Sequence, residues 1–252
     1  MIYITGDTHG DVTRFSMDNF PEQKTFTDQN ENYVIICGDF GLVWNYLVET
    51  HSEKYWLNWL EAKKFTTLFV DGNHEAFNRL YDYPVKEWNG GLVHEIRPHV
   101  LHLMRGQVFN IDGCTIFTFG GARSHDIDNL LDLDDPDFTE KQKQLRKDNL
   151  FYRVKGISWW EEEMPTQEEM QIGLDNLENN NWKVDYIITH DCTSSTKALY
   201  SHGSFKTDEL NAYLEEIKYK CEFKKWFFGH LHDDKQINDK EILLYHQIVR
   251  IW

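Results

Sequence analysis

Cysteine is scarce in this chain and poorly placed for cross-linking. Four of the 252 residues are cysteines (Cys37, Cys114, Cys192 and Cys221), far apart and with no CxxC pair. That argues against a zinc ribbon or a disulfide framework and fits reduced thiols in a cytoplasm. Long apolar runs are missing too. None approaches the ~20 residues that span a bilayer, so no membrane partner is expected. The opening Met1-Ile2-Tyr3-Ile4-Thr5-Gly6-Asp7 carries neither a basic region nor an apolar leader, so no signal peptide is read there. Positive charge is the other shortage, with 26 Lys+Arg against 42 Asp+Glu and a net charge of −16. Proteins that hold long nucleic acid usually neutralise its phosphates with Lys and Arg, so long nucleic acid is disfavoured as a partner. There is no internal repeat and no low-complexity tract.

What is present is the composition of a globular domain, with 40% hydrophobic and 15% aromatic residues. Its length can bury a full core as one domain over residues 1–252. The spacing predicts strands at 2–5, 33–37 and 66–70, with a helix over 49–64 between the last two. This β-α-β-α-β order predicts a parallel sheet with polar residues at its strand C-terminal ends. From 91 to 120 the pattern becomes strand-turn-strand (92–96, 100–104, 107–111, 115–119) and reads as antiparallel, with Asp112-Gly113 as a hairpin turn. Residues 123–182 read as an insertion or cap. Asp126 to Glu140 holds seven acids and no Lys or Arg, which suits a solvated loop. Thr166 and Glu169 are spaced as a capping box. A strand at 184–189, a helix at 207–219, a strand at 225–228 and antiparallel strands at 242–245 and 248–252 complete the chain.

Five short blocks stand at strand ends: Gly6-Asp7-Thr8-His9-Gly10, Gly38-Asp39-Phe40-Gly41, Gly72-Asn73-His74-Glu75, Thr189-His190-Asp191 and Gly229-His230-Leu231-His232. Each puts oxygen or imidazole donors on a tight turn. A mixed set of carboxylates, imidazoles and an amide suits first-row divalent ions. Seven donors are too many for one tetrahedral ion and suit two ions about 3.5–4 Å apart that share a carboxylate.

In order and content the blocks resemble the calcineurin-like metallophosphoesterases, whose motifs run GDxHG, GDxx, GNHE, H and GHxH. The resemblance runs from Gly6 to His232. It implies an α/β fold, a four-layer αββα sandwich of two mixed sheets, with a dinuclear metal site at strand C-terminal ends. By that resemblance Asp7, His9 and His232 hold one metal and Asn73, His190 and His230 the second. Asp39 bridges them, and His74 is the catalytic histidine. Manganese is the first choice of metal, with iron, zinc, nickel or cobalt as alternatives. The implied activity is hydrolysis of a phosphomonoester or phosphodiester by a metal-bridging hydroxide.

The second block departs from the GDxxDRG of protein phosphatases and dinucleoside-polyphosphate hydrolases. Gly38-Asp39-Phe40-Gly41-Leu42-Val43-Trp44 lacks both the second Asp and the Arg. The partner of His74 is then open, with Asp11 and Glu75 as candidates. Compensating cations are sought in Arg123, after Gly120-Gly121, and in Arg153, since guanidinium suits bidentate phosphate binding. Salt bridges to the nearby acids are equally expected of both. The string Arg153, Gly156, Ser158-Trp159-Trp160, Glu163, Pro165 resembles a small bacterial and phage branch of the family. Trp159 and Trp160 fit a core role better than base stacking. A small, nucleotide-like phosphorylated substrate is favoured. A nuclease acting on nucleic-acid ends and a non-catalytic scaffold on the same fold are the alternatives. No sequence feature bears on oligomeric state.

Overall fold

The computed structural model describes residues 1–251. In chain order β1 (Ile2–Thr5), β2 (Tyr33–Ile36), α1 (His51–Glu61), β3 (Thr66–Phe69) and α2 (Phe77–Leu80) come first. Then follow β4 (Val85–Trp88), β5 (Gly91–Arg97), β6 (Val100–Leu103), β7 (Gln107–Ile111) and β8 (Cys114–Phe119). An excursion holds β9 (Leu130–Leu131), α3 (Phe138–Lys147) and β10 (Arg153–Val154) before α4 (Gln167–Asn179). The last third is β11 (Tyr186–Thr189), α5 (Ser194–Ser201), α6 (Glu209–Lys220), β12 (Lys225–Phe228), β13 (Lys235–Gln236), β14 (Glu241–Leu243) and β15 (Ile248–Arg250).

Two mixed sheets result, ordered β15-β1-β2-β3-β6-β5-β4 and β13-β14-β12-β11-β8-β7. β1, β2 and β3 pair in parallel as the alternating pattern predicts, and β11 lies parallel to both β8 and β12. Strand alternation then decides the layers. Ile2, Ile4, Ile35 and Leu68 face one way and pack with Ile116, Ile188 and Phe227 of the second sheet. Tyr3, Val34, Ile36 and Phe69 face the other way, onto Leu57 and Leu60 of α1. Phe117, Ile187, Trp226 and Phe228 carry Leu177 of α4 and Leu214 and Ile217 of α6 on the far side. These three apolar layers make the expected αββα sandwich.

Several details depart from the sequence reading. The four strands between 91 and 120 do not form one antiparallel unit. β5 and β6 pair in the first sheet, whereas β7 and β8 pair in the second. β14 lies parallel to β12 and antiparallel only to the short β13, while β15 is antiparallel to β1 as expected. Trp252, the predicted end of that last strand, lies outside the described residues. Within 123–182, α3 buries no residue, and β9 and β10 form a separate parallel pair. α4, by contrast, starts at the predicted Thr166–Glu169 capping box and packs into the outer layer of the second sheet. Trp160 joins the core around α1.

A buried ionic network ties these layers together behind the strand ends. Arg105 donates from Nε and Nη2 to Asp71 Oδ2 at 2.9 and 2.5 Å, from Nη1 to Glu169 at 3.2 Å, and to the Glu162 carbonyl at 2.7 Å. Asp71 Oδ1 also meets His102 Nε2 at 3.0 Å, and His102 Nδ1 meets His94 Nδ1 at 2.9 Å. Burial alone would raise the Asp71 carboxyl, but Arg105 and His102 outweigh it and hold it well below the usual carboxylate range. Removing one partner strands a buried charge. Arg105→Met should therefore cost about 3–5 kcal/mol in urea denaturation, whereas Lys86→Met, which breaks the half-exposed pair with Glu95, should cost under about 1 kcal/mol. The sign with pH follows from the lowered Asp71 pKa. The Arg105 deficit should be largest where the stranded Asp71 of the variant is ionised and shrink as acid protonates that buried carboxyl.

Candidate metal centre

The parallel strands of both sheets end at one rim, and the donor-bearing turns sit there. β1 leads into Asp7 and His9, β2 into Asp39, and β3 into Asn73 and His74. From the second sheet, β11 leads into His190 and β12 into His230 and His232. The turns are tightly built. A methyl group at Gly72 would overlap Asp39 Oδ1, and one at Gly229 would overlap Asp7 Oδ1. Left-handed φ angles collect at the donors themselves: His9 (46°), Asp39 (44°), His230 (66°) and His232 (50°). Elsewhere such angles fall mostly on Asn and Asp at turns, such as Asn89 and Asp112. A left-handed backbone costs a histidine of order 1 kcal/mol and concentrates at functional sites.

One atom from each of Asp7, His9, Asp39 and His232 lies within 4.8 Å of the others. His232 Nε2 is 3.3 Å from Asp7 Oδ2, His9 Nε2 is 3.8 Å from Asp39 Oδ2, and the two imidazole Nε2 atoms are 2.9 Å apart. His190 completes the bridge between the carboxylates, with Nδ1 at 3.7 Å from Asp7 Oδ1 and Nε2 at 3.6 Å from Asp39 Oδ1.

The donor chemistry fits a cation. His190 Nδ1 lies 2.8 Å from the Cys37 carbonyl, which can only accept, so Nδ1 carries the hydrogen. In the neutral ring Nε2 is then a bare lone pair, aimed at Asn73 Oδ1 at 3.2 Å. Asn73 Nδ2 is already committed to Ser124 Oγ at 3.1 Å. A lone pair, an amide oxygen and a carboxylate oxygen thus converge, and only a proton or a metal ion reconciles them. His230 Nε2 is buried with no hydrogen-bond partner. Burial pushes the His230 ring down to about 3, so it is neutral at ordinary pH and could serve as a ligand. The Asp39 carboxyl is held below its usual range, where burial is outweighed by His190, His74 and His9.

His74 sits beside this cluster. Its backbone N–H donates to Asp39 Oδ1 at 2.9 Å, and its ring centroid is 5.6 Å from that of His9. Burial is the main cause that lowers its pKa, and Arg153 adds to it. His74 and His9 line a cavity of about 400 Å³ with Gly41, Trp44, Phe151 and Arg153. Neither proposed partner reaches the His74 ring. Asp11 Oδ1 accepts from Thr13 instead, and Glu75 Oε1 accepts from Phe40 N–H. Arg153 reaches the cavity with its guanidinium also on Asp126 at 2.5 Å. Arg123, for which a substrate contact and a salt bridge are equally expected, pairs with Asp208 and Glu209. The sequence reading missed Ser124 as the holder of Asn73, and His125, whose ring lies 5.2 Å from that of His230. Trp44 was overlooked although it follows the Asp39 turn closely. Phe151 lies between α3 and β10 and gave no signal.

Two mixed sheets flanked by helices carry a carboxylate–imidazole cluster that could hold a metal ion at their common rim. The family model for calcineurin-like phosphoesterases matches residues 1–234, and the chain belongs to that family. No curated protein matches the chain. Metal-dependent hydrolysis of phosphoesters is the activity that this family implies. If Asp39 is shared between two ions, Asp39→Asn should lower the metal content from two ions per chain to one or fewer, with the fold retained. Elemental analysis of the purified variant after manganese loading checks this, and an unchanged content of two would contradict the shared role.

Proposed function

We propose that this protein hydrolyses a small phosphomonoester or phosphodiester, nucleotide-like in size, at two divalent ions. Asp7, His9 and His232 would hold one ion, Asn73, His190 and His230 the other, and Asp39 both, with manganese as first choice. The observation that carries this reading is the convergence of His190 Nε2, Asn73 Oδ1 and Asp39 Oδ1 beside the Asp7–His9–His232 cluster. When bound, two such ions neutralise phosphoryl oxygens and lower the pKa of an attacking water.

The chain's own groups supply the rest. The turn that carries Asn73 also carries His74, and the His74 backbone bond to Asp39 fixes that turn against the cluster. The depressed pKa leaves the His74 ring neutral in the free protein. An arriving phosphoryl anion favours the imidazolium, so in this reading His74 gains a proton as substrate binds and delivers it to the leaving oxygen. Arg153 faces the same cavity and offers a guanidinium to the anion. Asp126 holds that guanidinium in place and offsets part of its charge. Protein phosphatase activity is disfavoured by the missing Asp and Arg after Asp39. A cytoplasmic location is part of the proposal, supported by four buried, free cysteines. Among the described residues no helix is long and apolar enough to cross a membrane.

The test is a metal-reconstituted screen with p-nitrophenyl phosphate, bis-p-nitrophenyl phosphate and a nucleotide panel, with Asp39→Asn as control. Metal-dependent turnover of at least one ester, lost in the control, is expected. No turnover with two metals bound would favour the scaffold alternative. Preferential cleavage at nucleic-acid ends would favour the nuclease. His74→Ala should lower kcat by roughly 10²–10⁴-fold while metal content stays near wild type. Loss of metal instead would make His74 a ligand.

A further inference from the structure

Two large aromatic side chains are held in the open on the walls of the cavity beside the metal cluster. Trp44 is 41% exposed and Phe151 is 61% exposed. Each exposed ring leaves apolar surface in water, which disfavours the free protein by roughly 25 cal/mol per Å². Neither is loosely placed. Trp44 N–H donates to Glu53 at 2.7 Å, and the same buried carboxylate takes Asn45 N–H at 3.0 Å and Arg79 Nη1 at 3.0 Å. Glu53 also closes the capping box of α1, so the turn that presents Trp44 is anchored to a helix end. The Phe151 ring lies under the Arg153 guanidinium, whose central carbon is 5.1 Å from the ring centroid. Arg153 is fixed in turn by Asp126 through Nε at 3.0 Å and Nη2 at 2.5 Å. The Phe151 carbonyl accepts from Asn129 Nδ2 at 2.9 Å.

The floor of the same cavity is His9 and His74, and the Trp44 ring lies 5.5 Å from His74, tilted by 41°. A phosphoryl group at the cluster would therefore point its substituent into a space walled by an indole, a phenyl ring and a planar guanidinium. The volume of about 400 Å³ falls in the range of small-ligand pockets. Flat aromatic surfaces of this kind recognise flat π-systems, and base-on-aromatic stacking needs no particular base identity.

We propose that this cavity is a subsite for a purine or pyrimidine ring, which stacks on Trp44 and Phe151 while the phosphate ester of the same molecule meets the metal cluster. The inference rests on the phosphoesterase reading and names its substrate class as nucleotides. Trp44 and Phe151 act as specificity residues, and Arg153 positions Phe151.

Calorimetric titration of the manganese-loaded protein with AMP and with ribose 5-phosphate tests this, since the two share a phosphate and differ in the base. AMP should bind wild type roughly 5–150-fold tighter than ribose 5-phosphate. Trp44→Ala and Phe151→Ala remove exposed side chains and should each erase much of that preference. Metal content should be unchanged, and Trp44→Phe should keep most of the preference. Equal affinities in wild type, or a preference that survives the double alanine variant, would overturn the subsite even if p-nitrophenyl esters are turned over. Failure to hydrolyse any ester would count against the phosphoesterase reading alone, because the AMP preference is read from binding and needs no turnover.

Discussion

Everything at the functional rim follows from one electrostatic constraint, a set of acceptors brought together with too few donors to satisfy them. Asp7 and Asp39 are both fully buried or nearly so, and they face His9, His190 and His232 across distances of 3.3–4.0 Å. His190 Nδ1 is committed to the Cys37 carbonyl, and His230 Nε2 has no partner. Buried carboxylates and lone pairs in such numbers are unfavourable unless cations join them. The fold holds them there through strand ends that cannot move independently, because both sheets share one apolar layer. Left-handed backbone at four donors is part of the same cost.

The net charge of −16 gains a different meaning in this light. Residues 126–169 hold thirteen acids against six Lys and Arg, a contribution of −7. They include the exposed helix α3 and the Asp126 that holds Arg153. The metal cluster with two divalent ions would be locally cationic. In the proposed reading, an acidic body around a small cationic mouth would favour compact phosphorylated molecules over long polyanions. The proposed stacking on Trp44 and Phe151 would add selection by shape.

Much of the fold and the donor set was legible in the chain because both are written locally. Short runs buried on both faces and Gly-flanked polar turns mark β1, β2, β3, β11 and β12, and parallel pairing puts their ends on one rim. The sheet membership of β5 to β8 was not legible. Consecutive antiparallel strands carry the same local pattern whether they continue one sheet or pass to another, and the choice is made by Phe109, Ile111 and Ile116 packing between the sheets. For Arg123 the sequence leaves two readings open, because a guanidinium near a glycine turn looks alike whether it meets phosphate or Asp208. Phe151 reaches the cavity through the tertiary placement of the segment between α3 and β10, which no short-range signal records.

The central claim is that the rim binds two metal ions through a shared Asp39. Anomalous diffraction from crystals of the protein grown with manganese tests it most directly. Two peaks about 3.5–4 Å apart are predicted, one beside Asp7, His9 and His232 and one beside Asn73, His190 and His230, with Asp39 touching both. No peak at the rim under saturating manganese, or a single ion held without Asp39, would contradict the account.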